Sequence, residues 1–196
     1  MIPHALARLR IPAITLLLLL SSPLPAKESA PAQAMRLSLG GVQYVHRWSQ
    51  KGQNEFTPPA ETDLSKWRDM VTIDVHDKVT DGEQLATLAN DVLGNYQGHG
   101  KILRTDSKPR TQQREAEHLI VAILSASGVM EAVFARVMLV EGRGVVVVYS
   151  HRAYGKDPAA VIGPWLQAKG QSVEDTLMSW NGLPKLAAIK ALPQSK

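Results

Sequence analysis

Three apolar, β-branched runs dominate residues 117–152, and the other patterned segments are arranged around them. The stretch reads EHLIVAILSASGVMEAVFARVMLVEGRGVVVVYSHR, interrupted only at Ser-Ala-Ser-Gly and Glu-Gly-Arg-Gly. Apolar runs of this length separated by short Gly-bearing spacers predict neighbouring antiparallel strands, here a three-strand meander. Taking Gly142-Arg143 as the turn sets Arg136 opposite Tyr149 and Phe134 opposite His151. Arg136, Tyr149 and His151 then share a face with Met138, Val140, Val145 and Val147. A turn at Ala126-Ser127 puts His118 opposite Ala135, away from His151.

Upstream, residues 41–48 alternate with Val42, Tyr44, His46 and Trp48 on one side, which predicts a strand. Residues 51–60 read as a loop, since Pro58-Pro59 forbids regular hydrogen bonding. Thr62 or Asp63 then caps a short helix carrying Leu64, Trp67 and Met70. Residues 70–77 alternate cleanly, with Val71, Ile73 and Val75 against Thr72, Asp74 and His76, a half-buried strand. Thr80 to Glu83 fits a capping box, followed by an amphipathic helix with Leu85, Leu88, Ala89, Val92, Leu93 and Tyr96 at helical spacing. Residues 101–106 suggest another strand, and 107–113 a polar loop. Asp157-Pro158 starts a helix that Pro164 kinks or splits, and Ser172 caps a last helix with Val173, Leu177, Met178 and Trp180.

The start of the chain reads as a targeting segment. Arg8 and Arg10, an apolar block of about ten residues, and a small residue at Ala26 make a secretory signal peptide over residues 1–26. That block is short of the roughly 20 apolar residues a spanning helix needs, so no stable membrane anchor is expected after cleavage. With no cysteine there is neither a lipidation thiol nor a disulfide, and a periplasmic or secreted protein held by its core alone is expected. Residues 27–40 read as a flexible linker, 41–184 as one α+β domain, and 185–196 as a peripheral tail.

Charge excludes little by itself. The whole chain carries 22 Lys/Arg and 18 Asp/Glu; without Arg8 and Arg10 the net charge falls to +2. No dense basic stripe interleaved with aromatics occurs, so a nucleic-acid partner is not expected. There is no Gly-x-Ser-x-Gly elbow, P-loop or dinucleotide fingerprint, and no cofactor is implied. Beyond the targeting segment, five histidines remain: His46, His76, His99, His118 and His151, none at i, i+4 spacing, so no metal site is predicted. Asp74 and His76 share a strand face and are the candidate catalytic pair, although a solvated polar face opposite Val71, Ile73 and Val75 is the simpler reading. Arg136 inside an apolar strand requires a partner, either a carboxylate or a stacked Tyr149, and a structural salt bridge is the simpler reading over an anion-binding arginine. Trp48, Phe56 and the adjacent prolines are candidates to edge a ligand groove.

The order of elements resembles the PsbP-like α/β/α sandwich of small exported or lumenal proteins, and the chain is similar to small secreted proteobacterial proteins. The points of contact are the early strand, the Phe56-Thr57-Pro58 loop, Trp67 leading into Met70-Val71-Thr72-Ile73, and a terminal helix behind the meander. The resemblance implies an antiparallel sheet flanked by helices and a non-enzymatic accessory or binding role, and it transfers no catalytic residue. The expectation is therefore an exported binding protein with an envelope or periplasmic protein as partner, contacted through Arg136, Tyr149, His151, Trp48 and Phe56. A small periplasmic hydrolase using Asp74 and His76 is the alternative.

Overall fold

The structure, a computed structural model, describes residues 34–195, so the expected signal peptide and residues 27–33 lie outside the described residues. Eight strands form a single antiparallel sheet in the order β1-β2-β3-β4-β8-β7-β6-β5. Its centre is the meander of β6 (Glu117–Ala126), β7 (Val129–Val140) and β8 (Arg143–Tyr154). The class expected from the sequence, α+β with a mostly antiparallel sheet flanked by helices, is the one observed.

The meander turns differ from expectation by one position, and the reason is local. Glu141 and Gly142 both adopt positive φ, at 49° and 69°, so they are the two turn residues and Val140 pairs with Arg143. Gly128, also at positive φ, likewise closes the turn between Ala126 and Val129. Each shift moves the pairing by two residues, so Arg136 faces Val147 and Phe134 faces Tyr149. Two is the side-chain period, and every residue therefore keeps its expected face. His118, now opposite Val137, still lies away from His151.

Three stretches expected to be irregular are ordered elements. Residues 36–39 of the expected linker form β1 (Arg36–Leu39), whose alternation buries Leu37 and Leu39. The expected 51–60 loop holds β3 (Gln53–Thr57), joined to β2 (Val42–Gln50) through a turn at Lys51 and Gly52, both at positive φ. The expected peripheral tail contains α3 (Leu186–Lys190), and Leu186, Ile189 and Leu192 are all buried in the core. Conversely, residues 62–68 form turns rather than a helix, because the Asp63 carboxylate accepts from the Ser65 amide and hydroxyl, a local turn that competes with helix. β4 (Asp69–His76) begins directly after.

The helices differ in how much of the sheet they cover. α1 (Gly82–His99) is capped by Asp81, which accepts from the Gln84 amide, while the Gln84 side chain accepts from the Thr80 amide; the cap lies one residue later than expected. Its Leu85, Leu88 and Ala89 pack against Ile120, Ala135, Val137 and Val146, beside β5 (Gly100–Lys108) at the sheet edge. On the opposite face α2 (Ala159–Ser179) is one continuous helix; Pro164 removes one donor near its start without splitting it, and Ser172 caps nothing. α2 and α3 together cover Phe56, Val71, Ile73, Phe134, Val145 and Val147.

The guanidinium of Arg136, only 7% exposed, fixes α2 in place. Its Nε and Nη2 donate to Glu117 at 2.9 and 2.7 Å, and its Nη1 donates to the carbonyls of Leu177 and Trp180 at 2.8 and 2.7 Å. Replacing Arg136 with methionine, or Glu117 with glutamine, is expected to destabilise the fold by about 3–5 kcal/mol, because each breaks a buried, hydrogen-bonded charge pair. The double variant is expected to lose clearly less than the sum in chemical denaturation; simple additivity would show that the two charges do not act as a pair.

Candidate functional site

Uneven helix coverage leaves two concave places, one on each face of the sheet. On the α1 face the helix lies chiefly over β5, β6 and β7 and reaches Val146 of β8, so β3, β4 and the rest of β8 are open beside it. The result is a groove of about 590 Å³. Its floor is Met70, Thr72, Val133, Val146 and Val148, and its walls carry Glu55, Asp74, His76, Asp91, Asn95, Glu131 and Arg152. Strand alternation places these polar groups: Asp74 and His76 are the outward positions of β4, and Glu55 pairs with Thr72 across β3 and β4.

The charges in this groove are unequally satisfied. Arg152 donates twice to Glu131 Oε2, at 3.0 and 2.6 Å, and stacks 3.9 Å over the Trp67 ring. His76 Nε2 lies 3.1 Å from Asp74 Oδ2, which raises the imidazole pKa chiefly through that hydrogen bond. Glu55 and Asp91 form no ion pair among the described residues. Burial pushes the Glu55 carboxyl upward despite the 2.9 Å hydrogen bond from Gln53.

On the α2 face a second cavity, of about 360 Å³, lies between the β1–β2 turn, the start of β4, the end of β8 and α2. Tyr44, Tyr149 and Trp165 form its aromatic wall, and Asp69 with His151 its polar floor. Tyr149 donates to Asp69 Oδ1 at 2.6 Å, and His151 Nδ1 meets the same oxygen at 2.8 Å. An ionised carboxylate only accepts, so Nδ1 carries the hydrogen. The Trp165 indole stacks on the His151 ring at 4.1 Å and 5°. Burial alone would raise the Asp69 carboxyl, but the hydrogen bonds from His151 and Tyr149 outweigh it and hold it below the ordinary value. Tyr44 and Tyr149 are both shifted upward, first by burial and then by the nearby Asp69 charge, with Glu61 adding to it.

The residues singled out in the sequence are thus dispersed. Tyr149 and His151 meet in the second cavity, whereas Arg136, on the same face, is buried and fully engaged by Glu117 and two carbonyls. Its counter-charge is the Glu117 carboxylate on the neighbouring strand. Phe56 is completely buried and cannot edge a groove. Trp48 does not share its face either: a bulge between His46 and Trp48 leaves His46 opposite Phe56 and Trp48 opposite Glu55. Asp74 and His76 are in contact as an ion pair, each side chain about one-third exposed at 34% and 32%. Among the described residues no three His, Asp or Glu side chains converge as metal ligands would.

Asp69, Tyr44 and Trp165 were not singled out. Asp69 had a readable signal, because extending the Val71–Ile73–Val75 alternation back by one step puts a carboxylate at an inward position. The meeting of Glu55 and Asp91 in one groove had none, since it brings β3 together with α1.

The Asp74–His76 contact has a definite pH signature. A raised His76 pKa means that its contribution to stability is fully present below the ordinary histidine value of 6.5 and is lost as pH rises through the folded-state value. For so exposed a pair the contribution is roughly 0.5 kcal/mol. Asp74→Asn is expected to lower the His76 pKa in an NMR titration and to flatten stability against pH just above 6.5; an unchanged titration would show that the contact does not persist in solution.

No protein-family model matches the chain, and no curated protein matches it. The PsbP-like resemblance therefore acquires no family assignment. Among solved structures, a Pseudomonas aeruginosa protein of unknown function, PA94, described as a putative regulator, is 10% identical with a TM-score of 0.43, over 78% of this chain and 99% of that one. The Saccharomyces cerevisiae Ran-binding protein Mog1p is 14% identical with a TM-score of 0.44, over 74% of this chain and 90% of that one. Likeness at this level says nothing of what this chain binds.

Proposed function

We propose that this chain is an exported, non-enzymatic binding protein of the bacterial envelope that holds a basic segment of a partner protein in the groove beside α1. One observation carries the reading: α1 leaves part of a sheet face open, and the groove there carries Glu55 on β3 and Asp91 on α1, neither of them in an ion pair among the described residues. An apolar floor formed by Met70, Val133 and Val148 under a polar rim is the usual anatomy of a recognition surface. Carboxylates left without cations favour a partner that supplies lysine or arginine. Export is supported by the basic, apolar and small-residue order of residues 1–26.

Hydrolysis by Asp74 and His76 is the weaker reading. The pair sits at the end of β4 on an accessible face, and its geometry is that of an ordinary ion pair.

Envelope extract passed over the tagged protein is expected to yield one partner at stoichiometric level. The charge reversals Glu55→Lys and Asp91→Lys are expected to reduce its capture by about tenfold or more, while reversal of a lysine on the opposite face leaves capture intact. Capture indifferent to both groove reversals would overturn the assignment of the groove. A reporter active only outside the cytoplasm, fused after residue 40, is expected to work with residues 1–26 and to fail without them; activity independent of those residues would overturn export.

A further inference from the structure

The second cavity has a vacancy in its hydrogen bonding that the fold does not use. Both donors to Asp69, the Tyr149 hydroxyl and His151 Nδ1, go to Oδ1. Oδ2 receives no hydrogen bond from any described residue, yet the Asp69 side chain remains 30% exposed, facing the cavity. The Tyr44 hydroxyl also makes no hydrogen bond to a described residue, although Tyr44 is only 3% exposed. Among the described residues no fully buried side-chain polar atom lacks a partner, and Tyr44 lines this cavity.

From this arrangement we infer that the cavity bounded by Tyr44, Asp69, Tyr149 and Trp165 is a binding site for a small organic ammonium ion. The free carboxylate oxygen supplies the counter-charge, and the aromatic rings supply faces and edges that favour a cation over a neutral or anionic group. Glu61, anchored on the Arg68 and Asp69 amides at 2.7 and 3.2 Å, adds negative charge behind the floor. The volume, about 360 Å³, suits an amine with a compact apolar substituent resting on Val42 and Val173. Lys169 stands at the mouth, exposed and without an ion pair among the described residues, and it competes with an incoming cation. This site lies on the face opposite the groove beside α1 and does not depend on that groove's role.

The test is NMR titration of the full chain with three probes of one shape: benzylamine, benzyl alcohol and benzoate. Benzylamine is expected to shift the Trp165 indole and His151 ring signals, and to bind about tenfold or more tightly than the alcohol, with benzoate weaker still. Asp69→Asn keeps an acceptor for Tyr149 and removes the charge, and should erase the preference for the amine. Lys169→Met, at an exposed position with no effect expected on folding, should tighten benzylamine by about twofold or more through loss of a competing charge. The inference is overturned if the alcohol or benzoate binds as well as the amine, or if none of the three binds below about 10 mM. It is equally overturned if benzylamine affinity is indifferent to Lys169→Met, a reading that stands even should the Asp69 variant fail to fold.

Discussion

A buried guanidinium holds the two principal layers of this protein together. Arg136 sits at the sheet centre, takes its counter-charge from Glu117 on the neighbouring strand, and spends its remaining donor on the last carbonyls of α2. Carbonyls at a helix end carry the negative end of its dipole, and the Leu177 carbonyl accepts from the Trp180 amide as well as from Arg136. Lys108 adds to the same cap, reaching Glu117 and the Met178 carbonyl. One cluster of charges thus fixes where α2 ends. Trp180, immediately after the helix, then donates its indole N–H to the Ser38 carbonyl at 2.7 Å, which ties β1 to the far side of the sheet. The position of α2 in turn determines that Trp165, near its other end, lies against His151 and Tyr149.

Coverage explains why open sites occur where they do. An eight-stranded sheet has two broad faces, and an apolar face left in water is unfavourable. On one side α2, α3 and the chain beyond them close most of the surface, and the tail is held by the Ser195 amide on the Ser49 carbonyl at 2.7 Å. On the other side α1 is the sole covering helix among the described residues, and the open part of that face accordingly carries Thr72, Asp74, His76 and Glu55 beside its apolar positions. The polar residues of β4 are therefore a consequence of coverage.

How legible each part was follows from the range of the forces involved. The meander, the outward and inward faces of β4, and the amphipathic α1 are short-range patterns that repeat at two or 3.6 residues, and all were readable. Face assignments survived even where the turns were misplaced, because both errors were of a whole side-chain period. β1 and β3 were missed because they are four and five residues long and carry Arg36, Ser38, Gln53, Asn54 and Glu55. Their ordering comes from pairing and from a buried network in which Ser49 donates to Asn54, and Asn54 to the Ile73 carbonyl. The bulge that turns Trp48 away from Phe56 is likewise invisible to a strict period of two. The second cavity joins residues from β2, β4, β8 and α2, and no local pattern contains such a meeting.

The distribution of charge departs from the basic composition. Lys101, Arg104 and Lys108 lie along the edge strand β5, and Arg110 and Arg114 in the loop after it, where positive charge also discourages edge-to-edge pairing. The concave places are lined instead by Glu55, Asp74, Asp91 and Glu131 on one face and by Asp69 on the other. A field of the opposite sign to the surrounding surface is focused by a cleft with low-dielectric walls. Acidic clefts thus coexist with a high isoelectric point, near 9.4 for the full sequence, because the local field is governed by the charges within a Debye length of each cleft and not by the sum over the chain.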